Sequence, residues 1–292
     1  MYKQIAANKR NTVFIILGFI IFITAIGAAF AYFLDDWWVV AWVLIIATIY
    51  AVVQYFAAST FAVAMTGAKE IKKKDSPRLY NTVENLAITA GLPMPKVYII
   101  DDAAPNAFAT GRDPEHAIVA ATTGLLDIMD NKELTAVMAH ELSHVKNYDI
   151  RVSMITFGLV CVVGFISDLG VRMMLLTHDH DEDDNSPIGI IVVILVSLLA
   201  PIAASLAQMA VSREREYLAD ASAAHLTRYP EGMISALKKL DTHARPMRHQ
   251  NPATEALFIN NPLRKGAINN LFSTHPPIEK RIERLEHGKT KF

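Results

Sequence analysis

Two long uncharged apolar runs open this chain, and only one acidic pair separates them. The first run covers residues 13–34 and the second covers residues 37–58. About 20 apolar residues are enough for a helix to cross a bilayer. Asp35–Asp36 form the break, and Trp37, Trp38 and Trp42 stand where an interfacial belt of aromatic residues is expected. The pattern predicts a transmembrane helical hairpin within residues 1–66.

The basic residues around this hairpin predict its orientation. Its outer ends carry the cations Lys3, Lys9, Arg10, Lys69, Lys72, Lys73 and Lys74, whereas the short connection carries only acid. Lysine and arginine favour the cytoplasmic side of a membrane. We therefore expect the N-terminal end and the stretch that follows Lys69 to be cytoplasmic.

Two further apolar runs, residues 152–166 and 188–211, predict a second hairpin within residues 152–211. The acidic stretch His178–Asp184 would be its outer loop. The third run is the weaker of the two, because it is short and Asp168 and Arg172 follow it. Residues 67–151 and 212–292 would then be two cytoplasmic parts of one domain.

The composition of residues 67–151 is that of a folded domain with helices and short strands. Ser76–Pro77 has the form of a helix start, and Gly91 has the form of a helix end. Residues 96–100, 106–110 and 116–122 are predicted as strands of a small sheet. The edge of such a sheet could pair with the backbone of an extended peptide, although plain packing explains these strands equally well.

The sequence His140-Glu141-Leu142-Ser143-His144 is the motif with the clearest chemistry. Asp130 with Glu133 has the form of a capping box, and apolar residues follow at helical spacing, so the motif is expected on a helix. Residues four apart share one helix face, so His140 and His144 can bind one Zn²⁺. Glu141 is not needed as a ligand and could accept a proton from a water at the open position.

A third protein ligand is required, and the spacing leaves it open. Glu216 and Asp220 lie four residues apart, so on a helix one could bind the metal while the other braces a histidine ligand. Glu214 and His225 compete for the same role. A solvated acidic helix face would explain these residues without any metal.

Composition excludes some classes of function. The 292 residues carry a formal net charge of -1, which argues against a nucleic-acid partner. Cys161 is the sole cysteine and stands in an apolar run, so no internal disulfide can form. The hydrophobic fraction of 52% reflects the long apolar runs.

Four motifs together resemble one family. They occur in the order Asn106–Gly111, His140–His144, Ser212–Asp220 and Ser273–Pro277, between the apolar hairpins. This arrangement is similar to the HtpX family of bacterial membrane metalloproteases, which is related to the CaaX-prenyl endopeptidases. The resemblance covers nearly the whole chain. It implies one zinc ion held by His140, His144 and Glu216, with Glu141 as the catalytic residue.

The same resemblance implies roles for three more residues. Asn106 and His275 would lie near the substrate, with His275 able to stabilise an oxyanion, and Asp220 would brace a ligand. The implied fold is mainly α, a multi-pass membrane protein with about four transmembrane helices and a cytoplasmic zincin-type α+β catalytic domain. The implied function is proteolytic quality control of misfolded or damaged membrane proteins in the bacterial cell membrane.

Three alternatives stand beside this interpretation. An intramembrane protease would hold its zinc at bilayer depth, yet the charged residues Lys132, Glu133, Lys146, Asp149 and Arg151 surround the motif. A structural zinc site would need four protein ligands, often cysteines, and Cys161 lies in an apolar run. A transporter or receptor is compatible with the apolar runs alone.

Overall fold

The computed structural model describes residues 2–178, 213–248, 254, 257–260 and 276–288. Within these residues the chain is mostly helical, with one four-stranded mixed sheet. The predicted fourth apolar run, residues 188–211, and residues 179–184 of the predicted acidic loop lie outside the described residues.

The predicted N-terminal pair of apolar helices is present, and both helices are longer than the apolar runs. Helix α1 covers Tyr2–Leu34 and helix α2 covers Trp38–Thr66. Ile5–Ala28 and Trp38–Thr66 have mean hydropathies of 2.3 and 2.2, so both are long and apolar enough to cross a membrane. Only 17% of each apolar window is buried inside the protein, which leaves most of this apolar surface outward.

Helix α6, Asp149–His178, packs against both helices of the hairpin. It contains the predicted third apolar run and continues as a helix past Asp168 and Arg172. Helices α2 and α6 approach each other closely at Gly158. A Cβ added there would collide with the side chain of Gln54. The Tyr50 hydroxyl donates a hydrogen bond to the Gly158 carbonyl oxygen at 2.8 Å.

The sheet has the strand order β1-β2-β4-β3. Its strands are β1 Lys69–Glu70, β2 Lys96–Ile100, β3 Ala107–Thr110 and β4 Ile118–Thr122. Strands β2 and β4 are parallel, and the other two pairs are antiparallel. The predicted strand 116–122 begins two residues later, because Pro114–His116 form a 3-10 turn capped by the Asp113 side chain. Strand β1 was not predicted, since two exposed residues carry no periodic signal.

Both faces of the sheet are buried at β3 and β4, whereas β1 at the opposite edge is exposed. One face packs on α3 (Pro77–Ala90) and α5 (Asn131–Lys146), and α7 (Arg213–Thr227), α8 (Pro230–Thr242) and α9 (Ile278–Gly288) complete that core. The short helix α4 is Thr123–Ile128. The other face packs against residues of α2 and α6 and against Met247 and Phe258. We call the sheet with α3, α4, α5, α7, α8 and α9 the sheet part.

The helix ends lie where the sequence predicts them, but the predicted side-chain cap at Ser76 is not formed. Helix α3 begins after Ser76, whose side chain makes no capping bond, and ends at Gly91 with φ 66°. Helix α5 begins with the full capping box of Asp130 and Glu133. It ends at Lys146, and α6 starts at Asp149, so Asn147 and Tyr148 form a two-residue joint between the two helices.

Candidate metal centre

The two motif histidines converge inside the protein. His140 and His144 stand one turn apart on α5, and their Nε2 atoms lie 3.2 Å from each other. His140 is only 1% exposed, whereas the His144 side chain retains 15% of its exposure. The capping box fixes the start of α5, and packing against α3, α7 and α8 fixes its rotation. The motif therefore faces the packed interface between α5 and α7.

Glu216 on α7 faces both imidazoles. Its Oε2 lies 3.6 Å from His140 Nε2, and its Oε1 lies 3.5 Å from His144 Nε2. A tetrahedral site with ligands about 2.0–2.1 Å from zinc separates its donor atoms by about 3.3 Å. The spacing of the three side chains therefore fits one zinc-sized ion, and their donor atoms all lie within 4.8 Å of one another.

The geometry favours Glu216 among the candidates for third ligand. Asp220 lies behind His140, with Oδ1 at 3.0 Å from Nδ1, the ring nitrogen away from the site. The Glu214 side chain is 79% exposed and pairs with Arg284 at 3.7 Å. His225 is exposed and lines a separate apolar pocket with Leu218 and Leu226.

Glu141 is buried beside the three convergent donor atoms and is not one of them. Burial raises the pKa of the Glu141 carboxyl above its usual value, while charge on His140 and His144 acts to lower it. A carboxylate with a raised pKa suits a group that must both take and release a proton.

Asp220 is held in turn by Arg281 from α9. The guanidinium is forked on the carboxylate, with Nε to Oδ2 at 2.8 Å and Nη2 to Oδ1 at 2.7 Å. Arg281 Nη1 also lies 3.8 Å from Glu216 Oε2. Sequence reasoning missed Arg281, although a signal existed. It is a single basic residue on the stripe that Ile278, Ile282 and Leu285 form, where an apolar residue would be expected.

The charges around His140 set its proton affinity in the metal-free chain. Burial acts to lower the pKa of His140, but the facing carboxylates of Asp220 and Glu216 raise it to about 9. Burial likewise acts to raise the pKa of Asp220, but the Arg281 guanidinium and His140 lower it to about 2. A metal ion that binds His140 must therefore displace a proton.

His144 has a different partner on its far ring nitrogen. Asp149 Oδ2 lies 3.0 Å from His144 Nδ1. The other oxygen, Oδ1, accepts a hydrogen bond from the Asn8 side chain at 2.7 Å. Asp149 and Asn8 were also missed from the sequence. Asp149 stands just past the end of the motif helix, and nothing in the pattern of α1 marks Asn8.

Asn106 is buried, and both ends of its side-chain amide are hydrogen-bonded to other residues of the chain. Its Nδ2 donates to the Asn260 carbonyl oxygen at 2.8 Å, and its Oδ1 accepts from the Asn260 amide at 3.1 Å. Ile259 N bonds Ala107 O at 3.0 Å, and Phe258 pairs with Phe108 as an isolated bridge. The outer edge of β3 is therefore covered here, so the predicted pairing of a peptide with this edge would have to displace that segment.

The predicted oxyanion residue His275 lies outside the described residues. The described chain resumes at Pro276–Pro277, immediately before α9.

The sequence matches the model of peptidase family M48 over residues 73–289. This range contains both motif histidines, Glu141, Glu216, Asp220 and Arg281. The chain therefore belongs to peptidase family M48, and it is a metalloprotease.

Relatives and a solved structure agree with this assignment. The chain is 54% identical to a protein named Protease HtpX homolog from Tropheryma whipplei strain Twist, over 100% of both chains. It is 48% identical to the Protease HtpX homolog of Streptococcus uberis, over 98% of this chain and 99% of the relative. The resemblance to the HtpX family is therefore confirmed.

The fold is similar to the crystal structure of S. mikatae Ste24p, with a TM-score of 0.52 and 20% identity. The match covers 96% of this chain and 64% of that one, so the chain spans somewhat under two thirds of its length. Together with the two apolar helices, the family makes this protein a membrane-associated metalloprotease.

Proposed function

We propose that this protein is a zinc endopeptidase that cleaves misfolded or damaged membrane proteins at the cytoplasmic face of the bacterial cell membrane. The observation that carries the proposal is the convergence of His140, His144 and Glu216. Their donor atoms lie 3.2, 3.5 and 3.6 Å apart, close to the spacing that a tetrahedral zinc ion requires.

The donor chemistry also supports zinc. Two imidazole nitrogens and one carboxylate are a typical set for catalytic zinc, which keeps a fourth position open. Each histidine has a carboxylate, Asp220 or Asp149, at the ring nitrogen away from the site. Such carboxylates fix the ring orientation and make the ligand more basic.

Different residues of the protein then have different roles in peptide hydrolysis. Bound zinc would supply Lewis-acid polarisation of the scissile carbonyl and lower the pKa of water. Glu141 takes the proton from the attacking water and delivers it to the leaving amine. His275 donates a hydrogen bond to the developing oxyanion, and Asn106 contacts substrate once the segment at Asn260 has moved.

The proposed topology has about four membrane spans, with the metal site and both flanking parts in the cytoplasm. Its support is the charge bias at the ends of the α1–α2 hairpin and the position of the site in the sheet part. There, Lys132 lies in the first turn of the motif helix and Lys146 in its last turn. Substrates that sit in the bilayer are the natural targets of a protease anchored beside it.

Glu141→Gln tests the proposed chemistry, because it keeps the shape and removes the basic carboxylate. The purified variant should retain about one zinc per protein and lose casein cleavage by at least about 10²-fold, the lower range for a general base. Wild-type protein stripped with a chelator and reloaded with zinc is the control. Substantial cleavage by Glu141→Gln would overturn the mechanism.

A single reactive cysteine tests the topology. With Cys161 replaced by Ala, a cysteine introduced at Lys132 should react with a membrane-impermeant thiol reagent only in inside-out vesicles. Reaction in right-side-out cells would place the site on the other side, and no reaction in either would favour an intramembrane site.

A further inference from the structure

We propose that Asn8, in the membrane hairpin, is a positioning residue for the metal-binding His144 and acts through Asp149. The inference rests on the proposed metal site. It makes the hairpin more than an anchor, because one of its side chains belongs to the hydrogen-bonded surroundings of the metal.

The Asp149 carboxylate bridges the two residues. Oδ2 lies 3.0 Å from His144 Nδ1, and Oδ1 accepts from Asn8 Nδ2 at 2.7 Å. Asp149 is only 3% exposed, so its orientation is set by these protein contacts. A carboxylate that swings away from His144 would leave the imidazole free to turn and make it a weaker ligand.

Asn8 is placed to prevent that movement. It is 3% exposed, and the same Nδ2 that bonds Asp149 also donates to the Asn147 carbonyl oxygen at 2.9 Å. Asparagine is a poor residue for a helix interior, and a buried amide is costly unless it is hydrogen-bonded. Its place on α1 is therefore explained by its partners on the other element.

Both partners of Asn8 lie at the joint between α5 and α6. Asn147 is the last residue before the left-handed Tyr148, with φ 61°, and Asp149 begins α6. Lys9 stacks over the Tyr148 ring at 4.4 Å from its centroid. Two consecutive residues of α1 thus hold the point at which the motif helix turns into the membrane-side helix α6.

A purely structural role predicts something different. Asn8 could simply satisfy the Asn147 carbonyl and stabilise helix packing, in which case its loss would lower stability without a specific effect on zinc. The two roles separate only if zinc affinity and folding are measured on the same variants and the dependence on Asp149 is tested.

The test compares Asn8→Leu with Thr12→Val in the full-length purified protein. Leucine is close to asparagine in shape and removes both donors. Thr12 lies one turn along α1, is also buried, and bonds only the Asn8 backbone oxygen, at 2.9 Å, so it is a matched control for lost polarity. Zinc dissociation constants come from competition with a chromophoric chelator, and melting temperatures from the metal-free protein.

We expect Asn8→Leu to weaken zinc binding by about 3- to 10-fold, less than the 10- to 100-fold typical for loss of a direct partner of a ligand. The smaller effect follows because Arg215 Nε lies 4.0 Å from Asp149 Oδ1 and still restrains it. Thr12→Val should leave the zinc dissociation constant unchanged. Asn8→Ala, which adds no bulk, is the second variant if leucine prevents folding.

A double-mutant cycle with Asp149→Ala shows whether Asn8 acts on His144 through Asp149. Without the carboxylate, Asn8→Leu should change zinc affinity by less than about twofold, because coupled residues are non-additive. An undiminished effect in that background, or no effect in the wild-type background, would overturn the proposal. If wild-type protein binds no zinc, or keeps its affinity in His144→Ala, the proposed metal site itself fails, and that outcome is distinct.

Discussion

The two histidines of one motif are supported in opposite ways. His140 is 1% exposed and faces Asp220, whose charge is matched by the buried guanidinium of Arg281. His144 keeps 15% side-chain exposure and faces Asp149, which is held by the neutral amide of Asn8. The first support comes entirely from helices of the sheet part, whereas the second comes mainly from α6 and the α1–α2 hairpin, with Arg215 of α7 at 4.0 Å from Asp149 Oδ1.

This difference makes the His140 side of the site rigid, and it makes the His144 side sensitive to how the α1–α2 hairpin is seated. A buried carboxylate with a forked arginine is held by two charge-assisted hydrogen bonds and tolerates little movement. A carboxylate held by an amide from another structural unit depends on how that unit is seated. The His140 side should therefore determine whether the site forms, and the His144 side should determine how well it binds when the hairpin shifts.

Loss of the carboxylate shared by both sides should have the largest effect. Glu216→Ala leaves two imidazoles, which cannot complete the three-ligand set of catalytic zinc, so zinc should be lost on dialysis together with proteolysis. Metal analysis of the purified variant measures this. Glu214→Ala, two residues earlier on α7 with an exposed side chain, should keep its zinc. A Glu216→Ala protein with full zinc content would remove Glu216 from the site.

The second largest effect is expected for Arg281→Met, which should lower the stability of the fold. Asp220 would become a buried charge without its partner, a change that typically costs about 3–5 kcal/mol. Chemical denaturation of the metal-free protein measures the free energy of unfolding. Arg284→Met is the control on the same helix, because its exposed pair with Glu214 should contribute less than about 1 kcal/mol. Equal losses in the free energy of unfolding would show that the buried Arg281–Asp220 pair is no more important for stability than the exposed Arg284–Glu214 pair.

The two supporting carboxylates can be compared directly. Asp220→Ala and Asp149→Ala should each weaken zinc binding by about 10- to 100-fold. We expect the larger loss for Asp220, because Arg281 is then left buried without its partner as well. Chelator competition gives both dissociation constants. A larger loss for Asp149 would reverse the assignment of the rigid and sensitive sides.

The last expected effect is the pH dependence of zinc affinity, which is smallest when taken per pH unit. Since the pKa of His140 is raised to about 9 in the metal-free chain, a proton competes with zinc below that pH. Affinity should rise between pH 7 and 9, by at most about tenfold per pH unit for one proton. In Asp220→Asn the pKa of His140 falls, so this slope should flatten. Identical slopes in both proteins would exclude His140 as the competing group.

The sequence predicted those features that local patterns encode. The capping box of Asp130 and Glu133, the helix end at Gly91 and the strand at residues 96–100 all depend on near neighbours along the chain. The motif spacing likewise brought His140 and His144 to one helix face. Helices α1 and α2 followed from the lengths of their apolar runs.

The supports of the site could not be predicted in the same way, because they are contacts between distant segments. The choice between Glu216 and Asp220 required the rotation of α7 relative to α5. Asn8 reaches Asp149 only through the packing of α1 on α6. The position of a lone arginine on the apolar stripe of α9 was an available clue that was not used. It would have marked Arg281 as unusual without naming its partner.

The docking of α9 has a consequence for biosynthesis. Arg281 is made after every other residue of the proposed metal site, and Asp220 lacks its guanidinium partner until that helix docks. At about 5–20 residues per second, ribosomes complete the motif helix several seconds before they reach α9. A nascent chain would therefore expose its histidines, yet lack the clamp that orders them. The hydrogen bonds that hold Asp220 behind His140 are therefore completed only when α9 has docked.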